Sequence, residues 1–575
     1  MFVSNDTLKK ILLDAGMIDE ETWADAVKNS IRLGVPIEDI LKERDVIAGH
    51  LLYELVGNAL GLKYVNLKTR DIPDDALARF DTEMVGEYKA IPFEVDTKKK
   101  RLKVAFLDPT DTTQIKQLEK KSGFGIDVHF CGLNSFQFAA KFYQKGVAAQ
   151  MKALIEQMIP HTNPRSFFFQ HDTTAQVRSL FEKLIEYVYY TQPSDVHIEH
   201  VRDGGVVKLR VDGFLRDEFA LPRPMIDSII ARIKLESGLS TDAHHQTRDG
   251  RFSHGVFDEI ISFRISVMPT YYGEKICARV LNESHQKTSL SDLGFMDGSI
   301  RTVKKEIKKP YGMILVTGPT GSGKSSTLYT LLKSLNVEGV SIATIEDPVE
   351  YSIMHVNQAQ VDAENGFTFA SGLRALLRQD PNVVMVGEIR DGETAGITIQ
   401  SALTGHIVLS TLHSNTAVGA ITRLKNMDIR SYLLAPTMNI VINQRLVKGL
   451  CPSCRESYPV DKKIIAGLEK DTHITRSLEK LKKFDLLSYK TYDDIRFFRG
   501  VGCAKCHGKG MLGRVGVFEI LTVDDEVRDL ILKDKPESVI QKAAEAKGML
   551  TLFEDGLLKV LNGATTIGEV MRVIT

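Results

Sequence analysis

The sequence is poor in cysteine and tryptophan and carries no excess of either charge. Six cysteines and one tryptophan stand among 575 residues, with 18 prolines and 43 glycines. So few thiols do not make a disulfide scaffold, and this glycine and proline content excludes a collagenous or largely disordered chain. Lys plus Arg and Asp plus Glu both number 74, a formal net charge of zero. Bulk electrostatics therefore gives no support for wrapping nucleic acid or coating an anionic membrane. No stretch approaches the ~20 apolar residues of a membrane-spanning helix. The run from Met1 to Glu21 acquires acids early and lacks an apolar core followed by a small-residue cleavage site, so no secretory signal is read. The expectation is a soluble, intracellular chain with length for about four domains.

Three texture changes divide it into four segments. Residues 1–145 begin with helical spacing (Leu8, Ile11, Leu12; Ile37, Ile40, Leu41; Leu51, Leu52, Leu55). Short extended runs follow, Tyr64–Leu67, Ile91–Val95 and Leu102–Phe106, with Lys98–Arg101 placed in a solvated hairpin turn. This reads as an N-terminal α+β docking domain. Residues 146–174, with Pro160, Pro164, the Phe167–Phe169 patch and the polar stretch Gln170–Thr174, read as a linker. A helix carrying Val177, Leu180, Phe181, Leu184 and Ile185 on one face opens a small α+β domain over 175–287. Its strands include Asp195–Glu199, Val206–Val211, Phe263–Val267 and Ile276–Val280, and Asp212-Gly213 supplies the positive φ angles of a tight hairpin. Over 288–575 near-continuous apolar runs, Met313–Val316, Ser341–Ile345, Val383–Val386 and Ile407–Thr411, alternate with helical segments. Strands buried on both faces with helices between them imply an α/β domain built on a mostly parallel sheet.

Gly318-Pro319-Thr320-Gly321-Ser322-Gly323-Lys324-Ser325 matches G-x-x-x-x-G-K-[ST] between a strand and a helix, with Ser326 following. The glycines let backbone N–H groups turn toward phosphate and the helix N-terminus adds its positive end. Lys324 reaches the β and γ oxygens of a nucleotide, and Ser325 ligates Mg²⁺. Hydrolysis also needs acids. The strand Val383–Val386 leads through Gly387 to Glu388, and Ile345-Glu346-Asp347-Pro348-Val349-Glu350 is a second acid-tipped strand. Either alone would be explained by strand-to-loop capping; two after one phosphate loop point to a metal-dependent site. His406 and His413 bracket the strand Ile407–Thr411 and would relay γ-phosphate occupancy, a role that competes with a purely structural one.

Two Cys-x-x-Cys pairs, Cys451/Cys454 and Cys503/Cys506, can present four thiolates to one tetrahedral Zn²⁺ at Zn–S near ~2.3 Å, a closed structural site. Gly502 and Gly508 would permit the tight turns. His507 is a spare ligand, and Cys131 and Cys277 read as core residues.

In order along the chain, Ser194–Glu199, Arg210–Gly213, Arg248–Arg251, the phosphate loop, Thr344–Glu350, Val386–Asp391, Thr404–His406 and Leu412–His413 resemble the type II secretion and type IV pilus assembly motors of the secretion ATPase superfamily. The likeness is strong over about 175–575. It implies a RecA-like P-loop motor domain preceded by a small PAS-like domain. It assigns Glu350 to the attacking water, Glu388 to Mg²⁺ through water, and His406 and His413 to the histidine box. It makes Arg264 and Arg279 charge-neutralising fingers on the γ-phosphate. Members of the assembly type carry the same tetracysteine insert, here 451–506, followed by a stretch like Gly510–Glu519. The implied protein is a homohexameric, cytoplasmic Mg²⁺-ATPase that drives pilin or pseudopilin assembly. It would be peripheral at the inner face of the cytoplasmic membrane through an inner-membrane platform partner. Pilus-type members bind cyclic di-GMP through repeated Arg-Leu-Gly motifs. Arg32-Leu33-Gly34 is a single copy whose downstream positions depart from the pattern, so cyclic di-GMP is left out of the expected ligands. Competing readings are a nucleotide-gated adaptor of a secretion platform and a nucleic-acid translocase or DNA-uptake motor. The first would need a degraded acidic box or missing fingers; the balanced charge argues against the second, and no nucleic acid is expected.

Overall fold

The computed structural model describes residues 3–574 except 48, 69, 71, 159–172, 212, 243–244, 257–258, 283–288, 461, 488, 490–493, 504–505 and 507. The chain divides into two compact units, one formed by Met1–Met17 with Gly49–Lys287 and the other by Ile18–Ala48 with Thr288–Thr575.

In the first unit, helix Asn5–Asp14 starts where the Ser4 hydroxyl accepts the Thr7 amide, and it buries Leu8 and Leu12. Strands Ala90–Asp96 and Arg101–Phe106 pair antiparallel around the turn that carries Lys98–Lys100, and Gly125–Phe130 adds in parallel. Tyr64–Leu67 does not continue this sheet. Tyr64 makes one isolated bridge to Phe130, and the Leu67 amide donates instead to the Ser135 hydroxyl at 2.7 Å. Residues 146–158, expected in the linker, belong to helix Gln144–Met158. Val147, Met151 and Ile155 recur every fourth residue and form one buried stripe, which turns this end of the segment into packed structure. Pro160, Pro164, Phe167–Phe169 and Gln170 lie outside the described residues.

Helix Thr173–Thr191 then buries Leu180, Phe181, Leu184 and Ile185 as expected. It lies with helix Arg223–Glu236 on one face of a six-stranded antiparallel sheet. The strand order is Phe214–Leu221, Gly204–Val211, Asp195–Val201, Gly273–Asn282, Glu259–Thr270, Arg248–Val256. Val211 pairs with Phe214 across the predicted two-residue turn, where Gly213 has φ +85; Asp212 lies outside the described residues. Asp249-Gly250 makes no turn and lies inside a strand. Val196, Ile198, Leu209, Ile265 and Ile276 fill the helix-covered face, so by strand alternation the charged residues between them share the other.

The second unit is built on a seven-stranded sheet. Its order is Asn357–Gln360, Ile342–Glu346, Val383–Val386, Ile407–Leu412, Gly312–Thr317, Met438–Leu450, Met511–Thr522. Every neighbouring pair is parallel except the last. The four strands read from apolar runs are buried at every residue, because helices cover both faces. Parallel strands send all their following loops to one edge, which is what assembles the site.

Helices Glu20–Leu33 and Ile37–Glu43, expected with the first region, group with this unit. The Arg32 guanidinium donates to Asn336 Oδ1 at 2.9 Å, and His355 Nε2 lies 2.6 Å from the Arg32 carbonyl. Leu290 N–H donates to Asp45 at 3.2 Å, and helix Ile37–Glu43 packs on helix Lys324–Leu335. Strands Arg455–Pro459 and Arg496–Gly500 form a separate two-stranded ribbon. Helices Lys462–Thr472 and Ile474–Lys483 lie between them in sequence and share a core with helix Leu552–Leu561.

Candidate functional site

The phosphate loop leaves strand Gly312–Thr317 and enters helix Lys324–Leu335. Gly318, Gly321 and Gly323 all have positive φ (+144, +78 and +88), a backbone that favours glycine. At Gly318 the need is also steric, since a Cβ would stand 2.5 Å from the Gln444 carbonyl oxygen. Pro319, Thr320 and Gly321 are exposed on the loop, Ser322 is buried beneath it, and Ser325 and Ser326 are exposed on the first turn of the helix. Lys324 Nζ donates to the Gly318 and Pro319 carbonyls at 3.0 Å each. Burial lowers its pKa, and the Glu388 carboxylate opposes that shift. Gln444 braces the loop from the next strand, accepting from Thr327 Oγ1 at 2.7 Å.

Glu388 emerges one strand away from the loop's neighbouring strand, on the same edge. It is ion-paired with Arg390, and its Oε2 lies 3.6 Å from His413 Nε2. Arg390 also reaches Asp347 at 3.6 Å, joining the two acid-tipped strands. Glu346 is buried and accepts from the Tyr329 hydroxyl, from Thr344 Oγ1 at 2.6 Å and from Gln358 Nε2 at 3.1 Å. Glu350 sits past the Asp347-Pro348 turn, its amide donating to the Tyr329 hydroxyl at 3.3 Å. Tyr329 and Arg390 carry this geometry and were not among the sequence candidates. Arg390 falls within the Val386–Asp391 stretch already singled out, while Tyr329 has no local signal beyond lying on the loop's helix.

The two histidines separate. His413 joins Glu388, but His406 lies at the opposite end of strand Ile407–Leu412. There its Nδ1 lies 2.8 Å from the Ser401 carbonyl oxygen and 3.2 Å from Thr404 Oγ1. Six residues of extended chain hold it about 20 Å from the phosphate edge.

In the first unit Arg264 and Arg279 are direct cross-strand partners on the solvent face. Register extends them into a row: Arg251 pairs with Arg264, Arg279 with Asp195, and Asp195 with Arg210. Asp195 accepts from Arg210 Nε at 3.2 Å and lies 3.7 Å from Arg279 Nε, so one carboxylate steadies two of the four guanidiniums. Cys277, read as core, is only half-buried. Its Sγ lies on this face, 3.8 Å from His197 Nε2, because strand alternation puts it in phase with Arg279.

The four insert cysteines meet at the base of the ribbon, with all sulfurs within 4.8 Å of one another. Cys451–Cys503, Cys454–Cys506 and Cys503–Cys506 are 3.8, 3.7 and 3.7 Å apart. A tetrahedron with Zn–S of ~2.3 Å has edges of about 3.8 Å, so the set fits zinc. Burial alone would raise the Cys506 thiol. Amide donation from Cys503 at 3.2 Å and Gly510 at 3.0 Å, together with the Cys454 and Cys503 thiols, outweighs it and brings the pKa to about 7. Gly502 and Gly508 take the positive φ expected of them, +91 and +76. His507 lies outside the described residues.

The Gly-Lys cradle, the acid one strand removed and the parallel order around them define a P-loop ATPase of the RecA-like class. The chain belongs to the type II/IV secretion system protein family: residues 170–572 match the model described as Type II/IV secretion system protein, and residues 60–142 match the MshEN domain. It is 34% identical over 554 residues to the type IV pilus assembly ATPase PilB of Thermus thermophilus, covering 94% of this chain and 59% of that one. The chain thus spans 59% of that relative's length. It is 31% identical over 575 residues to the type IV pilus assembly ATPase PilB of Myxococcus xanthus, covering 98% of both. It is 42% identical over 380 residues to the type II secretion system ATPase E of Vibrio cholerae, covering 66% of this chain and 72% of that one. Among solved structures, the pilus retraction motor PilT with bound ADP is 25% identical, with a TM-score of 0.47 over 68% of this chain and 96% of that one. No helix among the described residues is long and apolar enough to cross a membrane.

Proposed function

We propose that this chain is the subunit of a homohexameric Mg²⁺-dependent motor. It converts ATP hydrolysis into assembly of a type IV pilus or of the pseudopilus of a type II secretion system. It acts in the cytoplasm at the inner face of the cytoplasmic membrane, docked on an inner-membrane platform protein. The observation that carries this reading is the convergence of the Lys324 cradle, Glu388 and the Glu350 loop on one edge of a parallel sheet. Lys324 and the loop amides bind the β- and γ-phosphates. Ser325 and Glu388 hold Mg²⁺, which neutralises charge on the phosphate oxygens. Glu350 orients the attacking water. Arg264 and Arg279 neutralise charge that spreads over the γ-phosphate oxygens, a contribution of ~10³–10⁵ in rate for a well-placed finger. Cys451, Cys454, Cys503 and Cys506 hold a structural zinc ion that closes the base of the insert.

Phosphate release from the purified chain tests the activity. The wild type turns over ATP with Mg²⁺, and Lys324→Ala falls to background. Unchanged turnover in that variant refutes the assignment, and wild-type protein that binds but never hydrolyses ATP revives the adaptor.

A further inference from the structure

Arg445 is a half-buried guanidinium on strand Met438–Leu450, the strand that flanks the start of the phosphate loop. Its Nη1 stands 3.3 Å from where a Cβ on Gly318 would lie. Every hydrogen bond it makes goes to a neutral oxygen. Nη1 donates to Asn443 Oδ1 at 3.2 Å and to the Gln444 carbonyl at 3.1 Å, and Nη2 donates to the carbonyl and to Oδ1 of Asn415 at 3.3 Å each. Asn443 Nδ2 donates to the same Asn415 carbonyl at 2.8 Å. Among the described residues no carboxylate lies within ion-pair distance of Arg445 or of Lys324. The Glu519 carboxylate attracts Arg445 only from beyond ion-pair distance, and burial outweighs it, so holding this guanidinium half-buried against neutral oxygens carries a cost.

Asn415 supplies the reason. It lies two residues beyond His413, whose ring faces Glu388, and it is exposed, so folding by itself does not require it to be fixed. Ala417 closes the same loop from the other side, its amide donating to the buried Glu519 carboxylate at 2.6 Å. The loop after the His413 strand is thereby tied to the strand beside Gly318 by two side chains of that strand, Asn443 and Arg445, and of these Arg445 also reaches Asn415 Oδ1 and approaches Gly318.

We propose that Arg445 is a positioning residue of the ATPase site. It clamps Asn415 against the strand flanking Gly318, so that the His413–Glu388 pair and the Lys324 cradle keep one fixed geometry through the cycle. The planar fork is what spans the two loops; a lysine would keep the charge and lose the span.

The inference rests on the ATPase reading, and the test separates the two. Full-length Arg445→Lys, Asn415→Ala and the double variant are compared with wild type for ATP turnover and for binding of a fluorescent ATP analogue, with thermal unfolding as a check on folding. Absence of wild-type turnover would remove the functional reading itself. Given wild-type turnover, Arg445→Lys is expected to lose kcat by about tenfold or more with KM and analogue affinity within about threefold, and Asn415→Ala to lose kcat in the same direction. The double variant is expected to be no slower than Arg445→Lys, since Asn415→Ala removes the Oδ1 part of the same contact and leaves the main-chain carbonyl part, which Arg445→Lys already gives up. Wild-type kcat in either single variant, or a double whose loss is the product of the two, overturns the proposal. So does loss of analogue binding by folded Arg445→Lys, which would make Arg445 a nucleotide ligand. If Arg445→Lys does not fold, exposed Asn415→Ala alone decides.

Discussion

The Tyr329 hydroxyl donates to the buried Glu346 carboxylate and accepts the amide proton of Glu350 at 3.3 Å. One phenol on the phosphate-loop helix thus holds the acidic turn from both ends. Burial, then the Glu346 charge, push its pKa well above the ordinary phenol value, so it stays a neutral donor throughout the working range. The Tyr351 ring packs edge-on against it with centroids 4.5 Å apart, which fixes the ring plane.

Tyr329→Phe keeps that packing and removes both hydrogen bonds. Losing them releases the Glu350 turn, and kcat is expected to fall by about tenfold, the equivalent of one hydrogen bond's worth of positioning. ATP affinity should be nearly unchanged, because the cradle is untouched. Single-turnover phosphate release with parallel nucleotide titration checks this, and a wild-type rate would show that the turn is held without the phenol.

The arginine row makes a graded prediction. Arg264→Gln and Arg279→Gln should each lower kcat by about a hundredfold or more while ATP still binds, because fingers act on charge that develops in the transition state. Asp195→Asn should lower kcat less, since the amide still accepts from Arg210 and Arg279 but attracts them weakly. A ranking in which Asp195→Asn is the most damaging would point to a structural ion network in place of fingers.

The four-sulfur cluster predicts one zinc ion per chain. Metal analysis should find it in wild type and not in Cys503→Ser, and a strong chelator should expose four thiols that resist labelling beforehand. Because metal binding and ordering of the insert are linked, the variant should also unfold at lower temperature. Zinc-free protein with unchanged stability would assign the cluster to thiols alone.

Glu519 predicts a pH dependence. Burial raises its pKa above 4.5, and the Ala417 amide only partly opposes that. The folded state therefore holds this proton more tightly than the unfolded one. The linked stability is complete below the unfolded value and is lost as pH rises from there through the raised folded value. Glu519→Gln should flatten that slope, so its stability relative to wild type improves as pH rises from about 4.5 toward neutrality. Chemical denaturation across that range measures it; parallel curves for the two proteins would contradict it.

The parts legible beforehand were those encoded in contiguous residues. The Gly318–Ser325 loop needs its glycines in one run, and its positive φ values appear at Gly318, Gly321 and Gly323. Buried parallel strands announce themselves as apolar runs, and two Cys-x-x-Cys knuckles specify a tetrahedral set wherever they meet. Less legible were segments whose periodicity names no partner. Residues 146–158 of helix Gln144–Met158 fell in the expected linker, because a stripe of Val147, Met151 and Ile155 is short and sits next to prolines. Helices Glu20–Leu33 and Ile37–Glu43 carry apolar stripes that say nothing about which unit will bury them. His406 and His413 look alike in sequence, and only strand direction sends them to opposite edges.

What the sequence by itself determined is the local chemistry: a backbone able to cradle phosphate, a lysine at its end, acids at strand tips and four thiols in pairs. Tertiary structure alone decided which distant groups meet, namely Tyr329 with Glu350, Arg390 with Glu388, Arg445 with Asn415, and Arg264 beside Arg279 in one row. The reason is physical. Local conformation follows from the φ/ψ preferences of neighbouring residues, whereas strand order, register and direction are set by long-range pairings that a linear sequence does not display.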